Sequence, residues 1–153
     1  MRSFLYSSRC RYREFDDHES DILRTSIANN ASVGISGFLF RSRTHYFQCI
    51  EGNDGQVGKL IQKIFDDDRH FDIVIINDRI IDVPNFADWS MGYSDSSDRR
   101  EYPIITREST ANEVLEFLIA ESNKKNRFIA EQKARNTERA EIHDFTNYLR
   151  DLN

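Results

Sequence analysis

At 153 residues, with 39% hydrophobic and 31% charged side chains, the chain has the composition of a globular domain and the length for one core plus a modest appendage. Its net charge is −5, and Arg99–Arg100 and Lys124–Lys125 are isolated basic pairs, which argues against nucleic-acid binding. Apolar stretches such as Ile73–Ile76 are too short to cross a bilayer, and the N-terminus has no apolar leader, so a cytoplasmic protein without membrane contact is expected.

Ser3–Ser8 reads as a strand, with Phe4 and Tyr6 alternating against polar neighbours. Asp16 and Glu19 have the spacing of a capping box for a helix that carries Ile22, Leu23 and Ile27 and ends near Asn29–Asn30. Gly34–Phe40 and Thr44–Glu51 follow as two strands of a hairpin joined through Arg41–Arg43. Gly52-Asn53-Asp54 then breaks the strand and opens a second helix. Its apolar residues Val57, Leu60, Ile61, Ile64 and Phe65 recur at helical spacing.

Phe71–Ile81 is rich in β-branched residues and predicts a strand; Pro84 interrupts before a last strand near Phe86–Tyr93. The order β-α-β-β-α-β-β predicts an α+β fold of ferredoxin-like type, a mixed sheet with both helices on one face. Three parts are expected: a domain over 1–94, a polar linker over 95–109 and a helical extension over 110–153. Thr110 and Glu113 form the capping box that opens the extension. Its later apolar residues Ile142, Phe145, Leu149 and Leu152 make one stripe.

Cys10 and Cys49 are unclustered, and the histidines His18, His45, His70 and His143 are scattered, so no metal centre is expected. There is no P-loop, no GxGxxG, no GxSxG and no HExxH. Attention falls instead on a glutamine. Tyr46, Gln48 and Ile50 point to one side of their strand, and the first and third strands of a ferredoxin-like sheet are neighbours. Tyr6 and Gln48 therefore lie side by side under the helices if the registers agree. A buried amide needs its donors and acceptor paired. From spacing alone, the alternative of Gln48 on the solvent face stays open, as does an ordinary half-buried Tyr6.

On the first helix Ile22, Ser26 and Asn30 form one stripe, with Leu23 and Ile27 beside it as the better packing stripe. Asn29 and Asn30 either offer amides to a polar heterocycle or merely end the helix. Arg69 and His70 are either anion contacts or surface residues.

In order along Ser3–Tyr93 come Leu5-Tyr6-Ser7-Ser8, Asn29-Asn30, Gly34-Ile35-Ser36-Gly37-Phe38-Leu39, Phe47-Gln48-Cys49-Ile50-Glu51-Gly52, Asp67-Asp68-Arg69-His70 and Phe86-Ala87-Asp88-Trp89-Ser90-Met91. Together these resemble the blue-light-using-flavin (BLUF) family. Ser36 stands where the family usually has threonine, Ile50 where leucine is common, and Asn85 where arginine is frequent.

The resemblance implies a photoreceptor with a non-covalent flavin, FAD or FMN, held between the two helices. The ring would rest near Ile22, Ser26 and Ile64, with Asn30 and Asn29 on its polar edge. Asp67, Arg69 and His70 would face the ribityl-phosphate side. Tyr6 would supply an electron and a proton, and Gln48 would bridge phenol and flavin by rotating or tautomerising its amide. Trp89 and Met91, sharing a strand face, would carry the change to the C-terminal helices.

No cyclase, phosphodiesterase or DNA-binding module is recognisable after Ser94. The expectation is therefore a photosensor without enzymatic activity that switches a separate effector protein in trans and associates with itself, most simply as a dimer. The extension would cap the sheet, join copies or meet a partner. The competing readings are an acylphosphatase-type hydrolase built on Arg69 and Asn30, and a metabolite-binding module of the same fold.

Overall fold

The computed structural model describes the backbone of residues 1–11, 17–96 and 105–151, and the side chains of these except 17–22, 138 and 141–151. The Asp16–Glu19 capping box and Ile22 lie outside the described side chains. Along the chain run β1 (Arg2–Cys10), α1 (Asp17–Val33), β2 (Ser36–Arg41), β3 (His45–Gly52), α2 (Asp54–Phe65), β4 (His70–Ile80), β5 (Gly92–Asp95) and α3 (Ala111–Asp151).

The strands form one sheet in the order β4-β1-β3-β2-β5. The β1–β3, β1–β4 and β2–β3 pairs are antiparallel and β5 runs parallel to β2, so the sheet is mixed. β1 and β3 occupy its centre, which is where a ferredoxin-like order places them.

The period of two divides the side chains between the faces. On one face Phe4, Tyr6, Ile35 and Ile50 pack with Val57 and Ile61 of α2 and with Leu23 of α1. On the other, Leu5, Phe38, Phe40, Phe47 and Cys49 pack with Phe86 and with Val114 and Leu118 of α3. Both helices of the expected fold thus cover one face, and the first turns of α3 cover its back. Residues 1–122 form one compact unit and Asn123–Asn153 a second.

Local chemistry explains most element ends. α1 runs past Asn30 to Val33, because Gly34 at φ 68° lets the chain turn back. Ile35 N–H then donates to Asn30 O at 3.0 Å and Gly34 N–H to Ala31 O at 3.5 Å, the paired bonds of a Schellman cap. Asn53 caps α2, its side chain accepting from Gly55 N–H at 3.0 Å. Thr110 and Glu113 make the reciprocal box at the start of α3: Thr110 N–H donates to Glu113 Oε2 at 2.7 Å and Glu113 N–H to Thr110 Oγ1 at 3.3 Å. Two residues expected in packing stripes are exposed, Ile27 on α1 and Phe65 on α2.

The last strand departs from expectation. Phe86–Met91 is not extended: residues 85–88 form a turn closed by Trp89 N–H on Phe86 O at 3.0 Å, and the strand starts only at Gly92. The cause is tertiary. The buried carboxylate of Glu51 accepts the backbone N–H groups of Asn85 and Phe86, which are then unavailable to a ladder. β5 begins at a glycine because a Cβ there would lie 2.3 Å from the Phe38 ring. The far end of the expected linker is anchored as well. Ile105 packs on the back-face core, and Arg107 donates to the Asp72 carboxylate at 2.7 Å.

Candidate functional site

A cavity of about 990 Å³ opens between α1 and α2 over the central strands. Its floor is the sheet face carrying Tyr6, Gln48, Leu39 and Tyr46, and Met91 closes one side. Leu23, Ser26, Asn29 and Asn30 of α1 form one wall, and Leu60 and Ile64 of α2 the other. Asp67, Arg69 and His70, which follow α2, line the remaining rim. Every described residue expected to contact a cofactor lines this one cavity. Its size is at the top of the range for small-molecule pockets.

The centre of the floor is a hydrogen-bonded trio. Tyr6 and Gln48 are register partners on β1 and β3, and the Tyr6 hydroxyl donates to Gln48 Oε1. Gln48 Nε2 in turn donates to Met91 Sδ at 3.2 Å. Tyr6 is 3% exposed and Gln48 9%, so the solvent-face alternative for Gln48 is excluded. Burial, with the nearby Asp67 charge adding to it, pushes the Tyr6 phenol far above its ordinary range, so it stays protonated and a donor.

Asn30 is 3% exposed and its Nδ2 donates to Ser90 O at 3.0 Å, tying α1 to the segment that leads to Met91. Asn29 is exposed at the cavity mouth. Arg69 is held by its own neighbour: its Nε donates to Asp67 Oδ1 at 2.6 Å, and a second nitrogen contacts Oδ2. Burial works to raise the Asp67 pKa, but the hydrogen bonds and charge of Arg69 outweigh it and hold the carboxyl below its ordinary value. Burial also lowers the His70 imidazole below its usual range, against the pull of Asp67.

Trp89 and Met91 do not share a face. Met91 packs with Tyr6 and Ile50 on the cavity side, whereas Trp89 packs on the back-face core, edge-on to Phe38 at 6.2 Å. The turn at 85–88 replaces the strand whose alternation would have aligned them. Trp89 Nε1 is buried without a hydrogen-bond partner among the described residues.

Lys59 and Lys63 also line the cavity, and nothing in the sequence pattern marks them for it. They are four residues apart on α2, the spacing that puts two side chains on one helix face, and such a pair ordinarily reads as a solvated surface. Leu23, Leu39 and Ile64 supply apolar walls, Asn30 and Gln48 a polar edge, and Lys59, Lys63 and Arg69 positive charge at the rim. The donor set suits a flat heteroaromatic ring with a polar edge and an anionic tail. Among the described residues no cluster of His, Cys, Asp and Glu is arranged to hold a metal, and no helix is long and apolar enough to cross a membrane.

The comparisons with known proteins agree with this donor set. The family described as BLUF, sensors of blue-light using FAD, matches residues 1–92. The photoactivated adenylate cyclase subunit beta of Euglena gracilis is 30% identical over 107 residues, covering 69% of this chain and 12% of that protein. Its alpha counterpart is 28% identical over 107 residues, covering 69% of this chain and 10% of that protein. The chain therefore spans about a tenth of the length of these curated relatives. Among solved structures, BlrB, a BLUF protein in its dark state, is 31% identical with a TM-score of 0.61, covering 63% of this chain and 74% of that one. BlsA in its photo-activated state is 26% identical with a TM-score of 0.65, covering 77% of this chain and 94% of that one.

Proposed function

The chain belongs to the BLUF family, sensors of blue light that bind flavin, and from that premise we propose that Tyr6 and Gln48 are its photochemical pair and that their rearrangement switches an effector protein. The observation that carries this reading is the Tyr6–Gln48–Met91 trio on the floor of the cavity. Bound in that cavity and excited by blue light, flavin is a strong one-electron oxidant. The rest of the chemistry belongs to the chain.

Tyr6 is the donor. Its phenol is buried and protonated, and it can release an electron together with the proton it already shares with Gln48 Oε1. Gln48 is the switch because an amide has an acceptor at one end and donors at the other. Rotation exchanges which atom meets Tyr6 and which meets Met91, while tautomerisation exchanges donor and acceptor character with both atoms in place; neither changes the charge. Asn30 and Ser26 orient the ring from α1, Ile64 packs against it, and Lys59, Lys63, Arg69 and His70 hold the anionic tail at the rim.

Met91 leads directly into β5, and Ser94 Oγ on that strand donates to the buried Glu121 of α3 at 2.8 Å. This is the route by which a changed amide would reach α3 and an effector acting in trans, with self-association as a further output. The hydrolase reading lacks comparable support, because the family that matches residues 1–92 is one of blue-light sensors.

Titration with FAD and with FMN tests the cavity assignment. Asn30→Ala is expected to weaken binding of either flavin by about tenfold or more, as loss of a buried hydrogen bond to a polar edge would. Unchanged affinity would place the ring elsewhere. Comparing proteins captured on the immobilised chain in light and in darkness tests the switching of an effector, and an identical set in both would contradict it.

A further inference from the structure

Glu51 lies three residues after Gln48 on β3, on the opposite face of the sheet. Nothing in the photochemistry calls for a carboxylate there, yet this one is fully buried. Oε2 accepts from the backbone N–H groups of Asn85 at 2.7 Å and Phe86 at 3.2 Å. Oε1 accepts from Asn85 Nδ2 at 2.6 Å and Ser3 Oγ at 3.2 Å, with the Cys49 thiol at 3.8 Å. A buried carboxylate is tolerated only while such donors stay in place, so the segment starting at Asn85 cannot leave Glu51 without stranding a charge.

The other end of the same segment is held by the cavity. Gly37 N–H donates to Trp89 O at 3.0 Å, Asn30 Nδ2 to Ser90 O at 3.0 Å, and Gln48 Nε2 to Met91 Sδ at 3.2 Å. One strand therefore grips the segment twice, with Glu51 at its start and Gln48 at its finish. The first grip rests on a buried carboxylate; the second involves the amide that rearranges in the switch reading.

We propose that Glu51, with Asn85 as its side-chain partner, is a positioning residue for the switch: it fixes Asn85–Met91 against β3 and so sets where the Met91 thioether meets the Gln48 amide. The inference rests on the flavin-switch reading above. Loosening the clamp lowers the barrier to the return of the amide in darkness while leaving the cavity intact.

The test uses the full chain loaded with FAD. Asn85→Ala removes one donor from an exposed position and leaves the backbone bonds to Glu51 in place. Its light-induced spectral shift is expected to keep its size, with dark recovery accelerated by about three- to tenfold, the rate equivalent of one hydrogen bond. Glu51→Gln combined with Asn85→Asp exchanges donor and acceptor across the pair and is expected to bring recovery back to within about twofold of the starting protein.

Two dark measurements are independent of photochemistry. Trp89 is the single tryptophan and Met91 one of only two methionines, so emission and methyl resonances report on the segment. Both are expected to move in Asn85→Ala. If recovery, emission and methyl resonance all stay as in the starting protein, the clamp is wrong. If recovery follows thermal stability alone, as a destabilised core variant would show equally, Glu51 is only structural and the proposal fails. A starting protein without any light-induced shift would overturn the photosensor reading instead, and the two dark signals would still decide the clamp.

Discussion

Tyr6 and Gln48 sit directly opposite each other on the two central strands, and the phenol donates to the amide oxygen while the amide nitrogen donates to Met91. The relationship gives Tyr6 one buried proton and one acceptor to receive it. Replacing Tyr6 by phenylalanine removes both the oxidisable group and the proton and leaves the ring packed against Phe4. Tyr6→Phe is expected to bind flavin with near-normal affinity and to lose the light-induced shift, as followed by absorption under blue light. A retained photocycle would move the donor role to another residue.

The back face of the sheet depends on α3. Val114 and Leu118 are fully buried there among Leu5, Phe38, Phe40 and Phe47. Leu118→Ala should cost about 2–5 kcal/mol of stability, the usual range for emptying such a site. Urea unfolding measures it, and a loss below about 1 kcal/mol would mean that the helix contributes little to this core.

His70 predicts a pH dependence. Burial lowers its folded value below the ordinary 6.5, with Asp67 opposing, so between the folded and unfolded values the unfolded chain binds the extra proton. Stability from this residue is present above about pH 6.5 and falls as the pH drops through the folded value. Asp67, also depressed, adds a loss in the same direction at lower pH, below its ordinary value of 3.8. Unfolding free energies measured between pH 7.5 and 5 should decline, and His70→Gln should flatten that decline. An equal slope in the variant would assign it to other groups.

Much of this was legible in the sequence, and the exceptions have physical causes. Strand period and helix spacing sufficed for the ferredoxin-like class and for β1 and β3 as neighbours, whereas the face of Gln48 stayed open, because alternation alone does not say which side of a strand the helices cover. Phe86–Met91 misled for a tertiary reason. Its aromatic residues suit a strand, but Glu51, more than thirty positions earlier in the chain, takes the amide groups that a ladder would need. The same turn separates Trp89 from Met91. Lys59 and Lys63 were invisible as cavity residues because a lysine pair at helical spacing has the same pattern on a solvated face. The extension of α1 beyond Asn30 had a signal, Gly34, whose positive φ completes the Schellman cap.

The most direct test of the account is the light-minus-dark absorption spectrum of the FAD-loaded chain beside that of Gln48→Leu. A reversible red shift of the flavin band is expected in the first and none in the second, with flavin bound in both. A full reversible shift in Gln48→Leu, or no shift in the unaltered chain, would contradict it.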